Sequence, residues 1–190
     1  MIIKNAKFVT SVVKESNFLK DYPEICFVGR SNVGKSSLIN MLVGQNGIAK
    51  SSSTPGLTKM VNYFLINNQF YFVDLPGYGF SKTGKKHSTL WSTLLENYLL
   101  SSQNLKMVFM LVDIRHEPSE LDLLMHKFLF YHNIPHKVIA TKADKLAKSK
   151  IFNARTQIAK YLSLGVADVI AVSYSGFGKE DILNIIANCI

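Results

Sequence analysis

Gly29-Arg30-Ser31-Asn32-Val33-Gly34-Lys35-Ser36 fits the phosphate-loop spacing G-x-x-x-x-G-K-[ST] at every position. Each part of that spacing has a physical job. Gly29 and Gly34 let the main chain bend so that successive N–H groups face inward and make a nest for phosphate oxygens. Lys35 is placed to reach the β- and γ-phosphates, and Ser36 offers a hydroxyl to Mg2+. The flanks agree. Ile25-Cys26-Phe27-Val28 is a short apolar run, consistent with a buried strand. Ser37-Leu38-Ile39-Asn40-Met41-Leu42-Val43 reads as a helix, so its amino end faces the phosphates.

Outward from this loop, strands and helices alternate. Phe8–Val13 reads as an edge strand. Val61–Ile66 and Phe70–Val73 read as a hairpin turned at Asn67-Asn68, a dipeptide that tolerates positive φ. Met107–Val112, Lys137–Ala140 and Val169–Val172 read as buried strands. Helices are expected over Leu90–Leu100, from an N-cap at Ser119 to about Tyr131, over Ile151–Leu164 ending at Gly165, and over Lys179–Cys189. This alternation implies an α/β fold: a mostly parallel central sheet with an antiparallel edge strand and helices on both faces. Ligands of such sheets bind at the carboxyl ends of the strands.

The bulk properties set limits. With 190 residues, 47% of them hydrophobic, the chain suits one domain over 1–190, with 1–22 as an N-terminal edge segment. No apolar run approaches the ~20 residues of a membrane span. The opening Met1-Ile2-Ile3-Lys4-Asn5-Ala6-Lys7 lacks the apolar stretch of a signal peptide, so a cytoplasmic protein is expected. Two cysteines, Cys26 and Cys189, read as unpaired thiols. The five histidines show no metal-ligand spacing; His126, His132 and His136 read as ordinary surface or partly buried residues. The net charge of +9 exceeds what a nucleotide pocket needs and points to a polyanionic partner, nucleic acid first; a generally basic surface is the plainer alternative.

Three further motifs follow predicted strands. Asp74-Leu75-Pro76-Gly77 puts a carboxylate where it can hold Mg2+ through a water, and Gly77 can offer its N–H to the γ-phosphate. Thr141-Lys142-Ala143-Asp144 puts a carboxylate where it can accept from guanine N1–H and the 2-amino group, a donor pair that adenine lacks. The Lys142 stem can lie along the base. The alternative for Asp144 is a helix N-cap. Main-chain N–H groups at Val172-Ser173-Tyr174 could meet the guanine carbonyl. Thr58, with Thr54 as rival, is the second hydroxyl candidate for Mg2+, in a polar loop of the kind that switches with the γ-phosphate.

Together these motifs resemble the small GTPases of the translation-factor class. Gly29 to Asn40, Ser53-Thr54-Pro55-Gly56, Val73-Asp74-Leu75-Pro76-Gly77-Tyr78-Gly79-Phe80, Val112-Asp113-Ile114-Arg115-His116 and Lys137 to Lys145 narrow the resemblance to the EngB/YihA/YsxC family of bacterial ribosome-biogenesis GTPases. The resemblance implies a GTPase that binds GTP and GDP, assists assembly of the large ribosomal subunit and is linked to cell growth and division (septation). It implies nucleotide contacts from Gly29, Arg30, Ser31, Asn32, Val33, Gly34, Lys35 and Ser36, and from Gly56, Leu57, Thr58, Lys59 and Met60. It implies further contacts from Asp74, Leu75, Pro76 and Gly77, from Thr141, Lys142, Ala143 and Asp144, and from Val172, Ser173 and Tyr174. Mg2+ falls to Ser36 and Thr58, with Asp74 through a water. Lys35, Thr58 and Gly77 are the catalytic candidates. Leu57 and Lys59 depart from the basic residue and Gln that the family usually carries there.

Many GTPases orient the attacking water with a Gln just after D-x-x-G. Tyr78 stands there instead, which predicts slow intrinsic hydrolysis. Its plainer reading is a loop aromatic packed on the adjacent helix, and both readings can hold. Related GTPases with Asn in the Asn32 position use it to hold K+. Lys82, Lys85 and Lys86, and Lys145, Lys148 and Lys150, are two basic groups able to meet rRNA phosphates. Arg115 and His116 read as a structural corner or a partner contact. Two readings compete with a monomeric ribosome-assembly GTPase: a P-loop kinase or ATPase, and an RNA-binding module whose nucleotide site is mainly structural.

Overall fold

In the computed structural model, residues 1–49, 60–79 and 92–190 are described. Seven strands form one sheet: β1 (Ala6–Val12), β2 (Glu24–Gly29), β3 (Val61–Ile66), β4 (Phe70–Asp74), β5 (Leu105–Asp113), β6 (His136–Thr141) and β7 (Val169–Ala171). Their order is β1-β3-β4-β2-β5-β6-β7. The β1/β3 and β3/β4 pairs are antiparallel; β4, β2, β5, β6 and β7 run parallel. The helices are α1 (Lys35–Val43), α2 (Thr93–Ser101), α3 (Glu120–Tyr131), α4 (Lys148–Tyr161) and α5 (Lys179–Ala187).

The two-residue period of β2 sorts the core. Cys26 and Val28 join the apolar layer under α2, α3 and α4, whereas Ile25 and Phe27 join the layer under α1 and α5. With β4 on one side of β2 and β5 on the other, strand order reverses at β2. The crevice at its carboxyl end is where such sheets bind ligands.

Most expected elements form, with shifted ends. Asn67 and Asn68 turn the β3–β4 hairpin at φ 51° and 54°. Ser119 caps α3 in a full capping box with Asp122. The end of α4 corrects the reading that Gly165 terminates it: the helix stops at Tyr161, Ser163 takes the left-handed turn at φ 57°, and Gly165 has an ordinary φ of −71°. The helix also begins three residues early, at Lys148. The described part of α2 begins only at Thr93. Of the histidines read as surface or partly buried, His126 is buried, its Nδ1 2.9 Å from His136 Nε2.

Candidate nucleotide site

The phosphate loop leaves β2 and turns into α1 through Gly34 at φ 107°, a conformation a β-carbon resists. Gly29 is glycine for another reason than bending. Its φ is unexceptional, but a Cβ there would meet Val33 Cγ1 at 2.9 Å and Leu111 O at 3.0 Å. Asn32 adopts φ 63°, and the amide-bearing side chain is among the few that tolerate it. Thr141 on β6 supports the loop from below: its Oγ1 lies 2.6 Å from Val33 O and 3.1 Å from Val112 O.

Lys142 sits at φ 64°, which costs a β-carbon-bearing residue about 1 kcal/mol. Its Nζ donates to Asn32 O at 3.0 Å and pairs with Asp113 Oδ2 at 2.9 Å. Asp113 also takes Arg115 Nε at 2.9 Å and Nη2 at 2.7 Å. Burial alone would raise the Asp113 carboxyl, but hydrogen bonds from Arg115 and Lys142 outweigh it and hold the group far below the usual carboxylate range. Arg115 is therefore a structural corner that braces Lys142 under the loop.

A cavity of about 340 Å3 opens above these residues. Gly34, Ser37, Leu38 and Met41 form one wall, Thr141, Lys142, Asp144 and Lys145 the floor, and Val172, Ser173 and Tyr174 the other wall. Three separate sequence motifs thus meet at one cavity. Asp144 is not a helix N-cap, since Ala147 takes that position in α4. It lines the cavity with Lys145 Nζ 3.2 Å away. The Val172 N–H goes to Ala140 O and the Ser173 N–H to Phe177 O, so these two amides are not turned to the cavity. Tyr174 Oη reaches across the rim and donates to Asn46 Oδ1 at 3.0 Å.

At the phosphate end, Lys35 Nζ pairs with Asp74 Oδ1, and both side chains are nearly buried. The donors near this loop are hard oxygens, the Asp74 carboxylate and the Ser36 hydroxyl in the first turn of α1, which fits Mg2+ held largely by phosphates. Tyr78 is buried with its Oη donating to Asp122 Oδ1 at 2.7 Å. The ring is thus an aromatic tied to α3, the plainer of its two readings. Met60 is exposed, while Gly56, Leu57, Thr58, Lys59 and the Lys82–Lys86 group lie outside the described residues. Asp113, Ser37, Leu38, Met41 and Asn46 belong to the site without having been singled out. For Ser37, Leu38 and Met41 the signal was there: they share the face of α1 that starts at Gly34.

Fold, loop and cavity together define a P-loop GTPase. The profile of a family described as "50S ribosome-binding GTPase" matches residues 24–142. A probable GTP-binding protein EngB of Clostridium kluyveri is 45% identical over 193 residues, covering 100% of this chain and 98% of the relative. That of Desulfosudis oleivorans is 43% identical over 189 residues, covering 98% and 96%. Among solved structures, a probable GTP-binding protein engB superposes with TM-score 0.69 at 24% identity, covering 87% of this chain and 97% of that one. Aquifex aeolicus Era does so with TM-score 0.67 at 24% identity, covering 88% and 56%. At that identity both structures speak for the fold alone. The chain belongs to the EngB family of GTP-binding proteins and is a GTPase. Among the described residues no helix is long and apolar enough to cross a membrane.

Proposed function

We propose that this GTPase is a GTP-gated assembly factor for the large ribosomal subunit, acting as a cytoplasmic monomer in normal cell growth and division. One GTPase domain spans residues 1–190. The observation that carries the reading is the match of residues 24–142 to a family described as ribosome-binding, and the net charge of +9 supports it. The cavity takes the guanine base, with Asp144 accepting from its N1–H and 2-amino group and the Lys142 stem along its face. Tyr174 N–H, rather than the amides of Val172 or Ser173, is the donor for the guanine carbonyl. Lys35, now paired with Asp74, transfers to the β- and γ-phosphates. Asp74, freed of that pair, would hold Mg2+ through a water together with Ser36 and Thr58, and the ion would supply charge neutralisation at the transferring phosphoryl group.

Hydrolysis is slow unaided, because the residue after Asp74–Gly77 offers no carboxamide and its hydroxyl is given to Asp122. K+ at Asn32 would add positive charge beside the phosphates, and faster turnover in KCl than in NaCl tests it. The function itself is tested by co-sedimentation with large ribosomal subunits in GDP, a non-hydrolysable GTP analogue and no nucleotide. Binding with the analogue alone is expected. Equal binding in all three states would favour a module whose nucleotide site is structural.

A further inference from the structure

Tyr78 is held from two sides. Its main chain is zipped to the phosphate loop: Tyr78 N–H donates to Gly29 O at 3.2 Å, and Ser31 N–H donates to Tyr78 O at 3.3 Å. Its ring is buried, 2% exposed, and its hydroxyl ends on Asp122, itself 4% exposed. The other Asp122 oxygen accepts from Ser119 N–H at 2.8 Å and Ser119 Oγ at 2.7 Å, so the same carboxylate closes the cap of α3. The phosphate loop and the start of α3 are thereby joined through one residue.

Gly77 precedes that residue and packs on the same loop. A Cβ at Gly77 would lie 3.1 Å from both Ser31 N and Ser31 Oγ. Glycine resists rotation less than any other residue, so its orientation depends on what anchors its neighbours. The anchor on its carboxyl side is Tyr78.

We propose that Tyr78 and Asp122 are positioning residues for the γ-phosphate: their buried bond fixes Tyr78 and so holds the Gly77 N–H where the terminal phosphate of GTP meets it. This rests on the nucleotide reading above and goes beyond it. GDP has no group at that position. The Tyr78–Asp122 bond therefore sets the preference for GTP over GDP and leaves the affinity for guanosine and the inner phosphates alone.

The test is titration of GDP and a non-hydrolysable GTP analogue, both with Mg2+, against wild type, Tyr78→Phe, Asp122→Ala, the double variant and Ser119→Ala. In Tyr78→Phe the analogue is expected to bind about tenfold more weakly, the range of one buried bond to a charged group, with GDP within roughly twofold. Asp122→Ala should shift the analogue-to-GDP ratio alike, and the double variant no further than the larger single change. Ser119→Ala loses the cap but keeps the Tyr78 bond, so its ratio should match wild type. Equal losses for both nucleotides, an unchanged ratio, or additive effects in the double variant would overturn the proposal while the nucleotide reading stood. A wild-type protein that binds neither nucleotide would overturn both.

Discussion

Lys35 and Asp74 are 11% and 5% exposed and neutralise one another beside the phosphate loop. Removing either leaves the other charged in a poorly hydrated site. Lys35→Ala should therefore abolish tight nucleotide binding and also lower the stability of the nucleotide-free protein by ~3 kcal/mol, read by chemical denaturation. Adding Asp74→Asn should restore most of the stability and none of the binding. Glu24, the first residue of β2, is a different kind of buried acid. Its Oε2 accepts from Tyr98 Oη at 2.7 Å and from Ser102, while Oε1 has no hydrogen-bond partner among the described residues. Burial raises its pKa above the ordinary 4.5, the Ser102 and Tyr98 hydrogen bonds opposing. An acid raised on folding stabilises the fold below its unfolded pKa and loses that contribution as pH rises through the folded value. Denaturation of Glu24→Gln against pH should show a flatter fall above 4.5 than wild type; an identical profile would mean that Glu24 is not the group responsible. At this scale the motif residues were readable because each motif is local. Asp122 was readable as the partner of the Ser119 cap but not as the acceptor of Tyr78, and the Lys142 pair of Asp113 and the Tyr174 contact of Asn46 were not readable either, since those partners are made by elements far apart in sequence.

The same division holds for elements. Period-two and period-3.6 patterns disclosed the strands and helices, and the Asn-Asn turn and the Ser119 cap carry their geometry in their own side chains. The end of α4 did not, because Ser163 rather than glycine takes the left-handed position there, between the buried Leu162 and the half-buried Leu164. Strand order was likewise unreadable, since pairing depends on which edges meet. Asn67 shows how much a single turn residue can join. Its Oδ1 accepts from Lys4 N–H at 2.8 Å and Asn5 N–H at 3.2 Å, and its Nδ2 donates to Ile2 O at 2.9 Å. The side chain thus fastens the chain before β1 to the β3–β4 turn. Asn67→Ala loses these bonds and keeps a β-carbon at positive φ, for an expected loss of ~2 kcal/mol in thermal or chemical unfolding. Asn67→Gly loses the bonds but relaxes the backbone, and should cost about 1 kcal/mol less.

For the whole molecule, charge is the property that composition discloses without saying where it acts. The amino end of α4 answers part of that. It carries exposed Lys148 and Lys150 in its first turn, no acidic residue there, and Ala147 as a cap without a side-chain bond. Cations at a helix amino end oppose the helix dipole, so these lysines weaken the element they begin. The turn also follows closely on Asp144 and Lys145 at the cavity. A destabilising placement beside the proposed nucleotide site is what a phosphate-contacting surface would need and a merely solvated face would not. Lys148→Glu should then raise stability by ~0.5 kcal/mol while weakening binding to the large ribosomal subunit. Lys148→Gln with Lys150→Gln should lower the slope of log affinity against log salt by about 0.7–0.9 for each lysine removed, measured with the GTP analogue bound. A stabilised Lys148→Glu variant that kept full affinity and an unchanged slope would remove this turn from the polyanion-binding surface, shifting the search to the Lys82, Lys85 and Lys86 group.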